Sequence, residues 1–282
     1  MSTTPKVPSI QAPLPLKVAI IGTGKIATIL VQAMFNKGVL LRDQVQGTVH
    51  QPARVAVVQR ELGIRVSTDN VAAVRDSDVI ILAVKPQMIE TVLKEVRDTV
   101  RADQLIISVA ASVPTEYIER RLPVEVAVLR AMPNTPAAVN CGMTAICSGK
   151  HATQKQIDYA MTLFSTVGRA VVVEEKHMDA ITGLSSSGPA FIFTILESLA
   201  DAGVKTGLPR ELATLLAAQT TMGAAKMVLE SGSHPAVLKV SVTTPAGCTI
   251  DGLLELEEGG LRVTLIKAVV KAAKRAKELV FS

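Results

Sequence analysis

Three short stretches hold residue types that could do chemistry. The first is Gly22-Thr23-Gly24-Lys25-Ile26-Ala27, which follows an aliphatic run and opens a helical one. Its spacing is G-x-G-x-x-(G/A). The first glycine permits a tight turn, the second lets backbone approach a pyrophosphate, and Ala27 is small enough for helix to pack on strand. A helix starting there aims its open N–H groups and positive dipole end at phosphate oxygens. The chemistry implied is dinucleotide binding.

The second stretch runs from Val242 to Asp251, VTTPAGCTID. Thr243 or Thr244 is expected as an N-cap, with Pro245 at the first helical position and a helix over 246–257. Gly247 stands where a capping box would place Glu or Gln. The first-turn amides therefore stay open to a carboxylate, bordered by Thr244, Ala246, Gly247 and Cys248, and Thr249 can aim its hydroxyl beside that carboxylate. The plain alternative is an ordinary capped helix at a subunit contact.

The third is Leu184-Ser-Ser-Ser-Gly-Pro-Ala-Phe191, inside a segment whose apolar pattern otherwise predicts one helix over 177–203. Hydroxyls, glycine and proline are poor helix-interior residues. Pro189 is expected to free a backbone carbonyl and kink the helix, while Ser185, Ser186, Ser187 and Gly188 offer small polar surface for close approach of a ligand. Close crossing of two helices would use the same small residues. Both readings stand at this point.

The end of the second strand decides the dinucleotide. An NAD-preferring site usually carries Asp or Glu there to hold the ribose 2′-hydroxyl. Here the chain reads Gly47-Thr-Val-His50-Gln51-Pro-Ala-Arg54, with no acid before Glu61. His50, Gln51 and the Arg54 guanidinium suit a 2′-phosphate, which favours NADPH while leaving NADH usable. Alternatively, Arg54 only decorates the next helix.

The elements that must position these stretches follow from periodicity. Aliphatic runs at 17–21, 45–49, 78–84, 104–110, 125–131 and 170–174 are continuous rather than alternating, as in parallel strands buried on both faces, with helical segments between most of them. That predicts an α/β, Rossmann-like, doubly wound parallel sheet over 15–174. Beyond it the strands stop. Helices are expected at 177–203, 208–231, 235–241, 246–257 and 260–280, making 175–282 an all-helical domain. Residues 1–14, rich in Pro, Ser and Thr and without an apolar core, read as a flexible tail rather than a signal peptide.

Composition narrows the function classes. A hydrophobic share of 48% with 2% aromatics and no Trp builds an aliphatic core and removes the stacking platforms a single-strand nucleic-acid binder uses. The net charge of +5 would suit an anionic ligand. The basic run Lys267, Lys271, Lys274, Arg275, Lys277 lies opposite Leu261, Leu265, Val269 and Ala272, as a solvated helix stripe does. Cys141, Cys147 and Cys248 form no CxxC pair, and the four histidines lack metal-site spacing. The expectation is a cytoplasmic protein with no metal, no nucleic-acid partner and no membrane partner.

Taken in order, AVKPQ (83–87), AMPNTPAAV (131–139), DAITGLSSSGPAF (179–191), LADAGVKTGLPRELA (199–213), GAAKMVLESGSHP (223–235) and VTTPAGCTIDGLLELEEGGLR (242–262) resemble the pyrroline-5-carboxylate reductases. The resemblance spans nearly the whole chain beyond the tail. It implies that Gly22 to Ala27 hold a pyrophosphate, with His50, Gln51 and Arg54 near the adenosine phosphate and Asn70 near a ribose. Ala83, Val84, Lys85, Pro86, Ala110 and Ala111 would then line the nicotinamide half. Thr249 and the backbone at Cys248 would bind 1-pyrroline-5-carboxylate, with Thr249 the catalytic candidate and Ser187 nearby. It also implies a homodimer through the helical domain, with assembly into a decamer common in the family. The chain departs from the family pattern at Ser186 (usually Gly), Phe191 (usually Tyr), Val240 (commonly acidic) and Thr244-Pro245-Ala246-Gly247 (usually SPGG).

A reductase of another cyclic imino acid would share this build. A β-hydroxyacid dehydrogenase would place a catalytic lysine in the long helix after the sheet, and 178–200 has none. A non-catalytic NADP-binding regulator would have no use for an intact TTPAGCTID stretch.

Overall fold

The computed structural model describes residues 16–279, so the tail expected at 1–14 lies outside the described residues. Eight strands form one sheet: β1 (Val18–Ile21), β2 (Val45–Thr48), β3 (Arg65–Ser67), β4 (Val79–Leu82), β5 (Leu105–Ser108), β6 (Ala127–Met132), β7 (Gly142–Ser148) and β8 (Gly168–Val172), in the order β3-β2-β1-β4-β5-β6-β7-β8. Every neighbouring pair is parallel except β6 with β7. The reversal of order at β1 and β4 is the switch point outside which open α/β sheets bind ligands.

Helices α1 (Lys25–Asn36), α2 (Val55–Leu62), α3 (Asn70–Arg75), α4 (Ile89–Val96), α5 (Thr115–Glu119) and α6 (Gln154–Ser165) accompany the sheet. The continuous aliphatic strands serve two cores at once. Val18, Ile20, Ile81, Ile107 and Leu129 join α1 and α6 in one cluster. Ala19, Ile21, Ile80, Leu82, Ile106 and Val128 join α3, α4 and α5 in the other. Alternate residues face opposite sides of a strand, so both sets must be apolar.

Two strands escape the sequence reading. β3 has three residues, Arg65-Val-Ser, at the sheet edge with Arg65 exposed. β7 returns antiparallel after a single 3₁₀ turn at Thr135–Val139, so no full helix announces it. Gly142 on β7 pairs with Gly168 on β8, where a side chain at Gly168 (φ 149°) would strike the Gly142 backbone.

One compact unit comprises the described residues through Ser187 together with Lys271 onward; the other is Gly188–Val270. Beyond the sheet lie α7 (Met178–Ile181), α8 (Gly188–Lys205), α9 (Arg210–Ser231), α10 (Pro235–Ser241), α11 (Cys248–Glu258) and α12 (Leu261–Glu278). The single helix expected over 177–203 is instead α7, a π-helical turn at Thr182–Ser186, and α8. In the helical unit α8 packs on α9 so closely that a side chain on Gly203 would come 2.8 Å from the Ala213 methyl. Ala200, Ala213 and Ala217 are buried there, whereas Leu199, Leu212, Leu215, Leu216, Met222, Met227 and Leu229 are exposed. By length and composition α9 could cross a membrane, alone among the described helices.

Candidate functional site

The glycine loop is a cradle held from two sides. Gly22 takes φ 87°, a left-handed value that glycine reaches without strain. Its N–H donates to Thr48 Oγ1 (3.3 Å), and the Thr23 N–H donates to the Thr48 carbonyl (2.7 Å), tying the loop to the end of β2. On the other side a side chain at Gly22 would collide with Val84. Thr23 is 2% exposed, and a side chain on Gly47 would stand 2.6 Å from its hydroxyl, so the glycine in β2 makes room for it.

Gly24 is the N-cap of α1, with no side-chain cap and no acid in the first turn. Ala27 is buried in the core as the small third position. An uncapped helix N-terminus behind a glycine turn is built for a phosphate. The cradle therefore fits a dinucleotide.

Around it the structure sorts the sequence candidates. Ala83 and Val84 adjoin the loop, while Lys85 is exposed and Pro86 opens a 3₁₀ turn leading into α4. His50 and Gln51 follow β2 in an exposed bend, Gln51 capping a 3₁₀ turn (Pro52–Arg54) that ends in exposed Arg54, which has no ion-pair partner among the described residues. Asn70 begins α3 behind the Asp69 N-cap, and its amide nitrogen donates to Glu95 (2.8 Å), which leaves its oxygen as acceptor. Ala110 is buried; Ala111 packs against Met132, Met178, Ala145 and Cys147. Next to it Ser112 holds φ 68° with its hydroxyl buried and unpartnered.

In the helical unit the 242–251 stretch differs from the sequence expectation. The N-cap of α11 is Gly247, not Thr243 or Thr244, and Pro245 lies before the helix rather than in its first turn. The cause is a turn: the Gly247 N–H donates to the Thr244 carbonyl (3.1 Å), Pro245 is the second residue, and Ala246 is left-handed at φ 56°. That is the pattern of a type II turn, in which the third residue needs positive φ. A left-handed Ala246 ends any helix begun at Pro245, so α11 starts at Cys248.

Gly247 supplies no capping side chain; the Ile250 N–H donates to the Gly247 carbonyl (3.3 Å), which leaves the Cys248 and Thr249 amides as the open pair. A side chain at Gly247 would collide with Thr244 Oγ1, so any larger residue there would force the Thr244 hydroxyl to turn away. Thr249 is half-buried and Cys248 exposed on the first turn.

Comparison with known proteins decides what this pair of features belongs to. Residues 175–279 match the family model for pyrroline-5-carboxylate reductase dimerisation, and 17–112 match that for NADP oxidoreductase, coenzyme F420-dependent. A pyrroline-5-carboxylate reductase of Methanosarcina acetivorans is 46% identical over 93% of this chain and 97% of its own. The chain belongs to the pyrroline-5-carboxylate reductase family. The Arabidopsis thaliana member is 42% identical over 93% of this chain and 95% of its own. Among solved structures, the Plasmodium falciparum member with NADP bound superposes with a TM-score of 0.87 at 29% identity, covering 95% of this chain and 100% of that one. The Coxiella burnetii reductase gives 0.84 at 34% identity, with coverages of 95% and 99%.

With the family known, the residues that sequence reasoning left without a role stand out. Arg130 on β6 is 2% exposed, and its guanidinium reaches Asp179 (3.3 Å) and Glu175 (3.7 Å). Glu175 also accepts from the Thr115 N–H (2.8 Å) and hydroxyl (2.7 Å). Beside this group, burial and then the Glu175 charge push the Cys147 thiol up to about 12, which keeps it an inert core residue. Asn134, just past β6, accepts from the Met143 N–H (2.8 Å) and donates to the Ser185 carbonyl (3.1 Å). The sequence signal was there in part: the reductase family motif AMPNTPAAV contains Asn134, but only coordinates show where its amide goes.

No three His, Cys, Asp or Glu side chains gather in the geometry of a metal site among the described residues.

Proposed function

We propose that this chain is a pyrroline-5-carboxylate reductase, reducing 1-pyrroline-5-carboxylate to L-proline with NADPH in the last step of proline biosynthesis. The observation that carries the reading is identity of 46% across 93% of the chain with a protein of that name, a span that includes both the glycine cradle and the Thr244–Thr249 turn.

NADPH, when bound, supplies a hydride from its reduced pyridine ring. The protein's part is to hold and orient. Gly22, Thr23, Gly24, Lys25, Ile26 and Ala27 cradle the pyrophosphate: the N–H groups of Gly22, Thr23 and Gly24 hold the loop in shape, and those of Lys25, Ile26 and Ala27 at the start of α1 face the phosphates. His50, Gln51 and Arg54 take the 2′-phosphate, and the free amide oxygen of Asn70 takes a ribose hydroxyl. Ala83, Val84 and Pro86 with Ala110 and Ala111 give the apolar bed on which a nicotinamide lies, with exposed Lys85 beside it.

The opening of α11 suits the imino acid's carboxylate: bare amides, a positive dipole end, and Thr244, Ala246, Gly247 and Cys248 as its rim. Thr249 hydrogen-bonds the imine nitrogen, and Ser187 adds a polar contact. A cyclic imine is basic enough to take a proton from water, and the resulting iminium accepts the hydride at carbon, so the reaction asks for position rather than a strong acid or base on the protein. That agrees with a candidate site containing no histidine beyond exposed His50.

We also take the protein to be cytoplasmic and a homodimer through the helical domain over 175–282. The match of 175–279 to a dimerisation model, exposed Ile192, Phe193 and Leu199 on α8, and the exposed Leu and Met rows on α9 support the second point. Three free cysteines support the first.

The test follows NADPH absorbance on addition of 1-pyrroline-5-carboxylate, repeated with NADH and with the six-membered imino acid. Faster turnover of the five-membered ring with NADPH is expected. Preference for the larger ring would make this a different cyclic-imine reductase, and no oxidation with either would leave a cofactor-binding protein without this activity.

A further inference from the structure

The π-helical turn is clamped at both ends from β6, and the clamp explains the proline after it. In an α-helix the Ser185 carbonyl would accept from the N–H of residue 189, but Pro189 has none. The Asn134 amide nitrogen takes that orphaned carbonyl at 3.1 Å. The orientation of the amide is fixed, because the Met143 N–H holds its oxygen at 2.8 Å. Six residues earlier, buried Arg130 grips Asp179. Within the turn the Ser187 N–H reaches back five residues to the Thr182 carbonyl (3.0 Å), the bond that defines the π form. Thr182, itself buried, returns its hydroxyl to the Met178 carbonyl (2.8 Å).

We propose that Asn134 and Arg130 are positioning residues that hold the Thr182–Ser186 turn in its π form and thereby aim the hydroxyls of Ser186 and Ser187. A π turn carries one more residue than the α-helical arc it replaces, and one residue corresponds to about 100° of rotation. Relaxation of the turn would swing Ser187 by that amount. A π turn is less favourable than α-helix and persists where surroundings impose it. Here the imposing groups are one charged and one amide side chain, 130 and 134, on the same strand and its extension. The proposal rests on the reductase reading for its effect on turnover, but not for its effect on the turn.

Asn134→Asp keeps the size and the acceptor for Met143 while turning the donor into an acceptor facing the Ser185 carbonyl. In the folded variant, kcat with 1-pyrroline-5-carboxylate should fall by about 10²-fold, the loss expected for a misplaced reacting partner. The NADPH Kd should not move. Amide hydrogen exchange at Ser187 should quicken in the same variant, a readout that needs no activity. Pro189→Ala restores an N–H for the Ser185 carbonyl, so Asn134→Ala, the second variant, should cost less kcat in that background than alone. Unchanged kcat and exchange in Asn134→Asp, or an equal Asn134→Ala cost in both backgrounds, would overturn the clamp. Wild-type protein failing to oxidise NADPH with imine would instead sink the reductase reading while the exchange result still judged the clamp.

Discussion

Thr249 and Ala246 show how much can rest on one side chain. If Thr249 holds the imine nitrogen, Thr249→Ala removes a hydrogen bond to the reacting group and leaves the cradle of Gly22 to Ala27 untouched. A hydrogen bond to a charged partner contributes about 1.5–3 kcal/mol, so kcat/KM for the imine should drop by about 10- to 100-fold while the NADPH Kd stays put. A steady-state assay with separate cofactor titration checks both; full turnover in the variant removes Thr249 from the mechanism. Ala246 makes a different prediction. A left-handed L-residue costs about 1–2 kcal/mol, and φ at Ala246 is 56°. Glycine there relieves that strain but adds about 0.4–1 kcal/mol of unfolded-chain entropy. Strain relief wins, so Ala246→Gly should raise Tm by about 2 °C. A calorimetric scan showing a lower Tm would mean that the turn gains from the Ala246 methyl by some other contact.

Elements were legible where one physical signal dominated. Runs such as Val79–Leu82 announce themselves because strands buried on both faces have no polar option. β3 stayed hidden because three residues of which two are polar carry no pattern, and β7 because its glycine and threonine dilute an otherwise apolar strand. The start of α11 was misplaced since propensity cannot see that Ala246 turns left-handed. The π turn was invisible for a related reason: its bonds depend on Asn134 and Arg130, about fifty residues upstream. The loop shape, by contrast, was legible, because the G-x-G-x-x-A spacing packs three short-range cues together: a left-handed turn at Gly22, a helix start at Gly24 and a small residue at Ala27 where the helix meets the core. The 3₁₀ turn after β2 carries its own prediction. Arg54 is exposed and unpaired among the described residues, so it is free to meet a 2′-phosphate. Arg54→Ala should cut kcat/KM with NADPH by about 10-fold or more, the value of one charge-assisted hydrogen bond, and leave NADH kinetics nearly unchanged. Equal losses with both cofactors would mean that Arg54 contacts something other than that phosphate.

In the molecule as a whole, α9 carries an apolar surface that the described residues leave exposed. Leu215 is 64% exposed, Leu216 47% and Met222 58%, all on α9, whose buried residues are only alanines. Scattered apolar residues on a surface are ordinary, but rows of them along one helix mark an interface. The residues matching a dimerisation model cover this helix, and a second copy is the partner whose matching face would bury it. Burial of one leucine contributes about 1.5–3 kcal/mol, and a two-fold interface counts each substitution twice. Leu215→Glu combined with Leu216→Glu replaces that gain with four carboxylates facing one another across the pair, each costly to desolvate. The variant should therefore sediment as a monomer at micromolar concentration while wild-type protein sediments as a dimer or as a multiple of dimers. Circular dichroism should keep the strand signal of the sheet, since both substituted residues belong to the Gly188–Val270 unit. If the double variant assembles as the wild type does, the α9 face is not where two copies meet, and the exposed rows on α8 or α11 become the surface to substitute next.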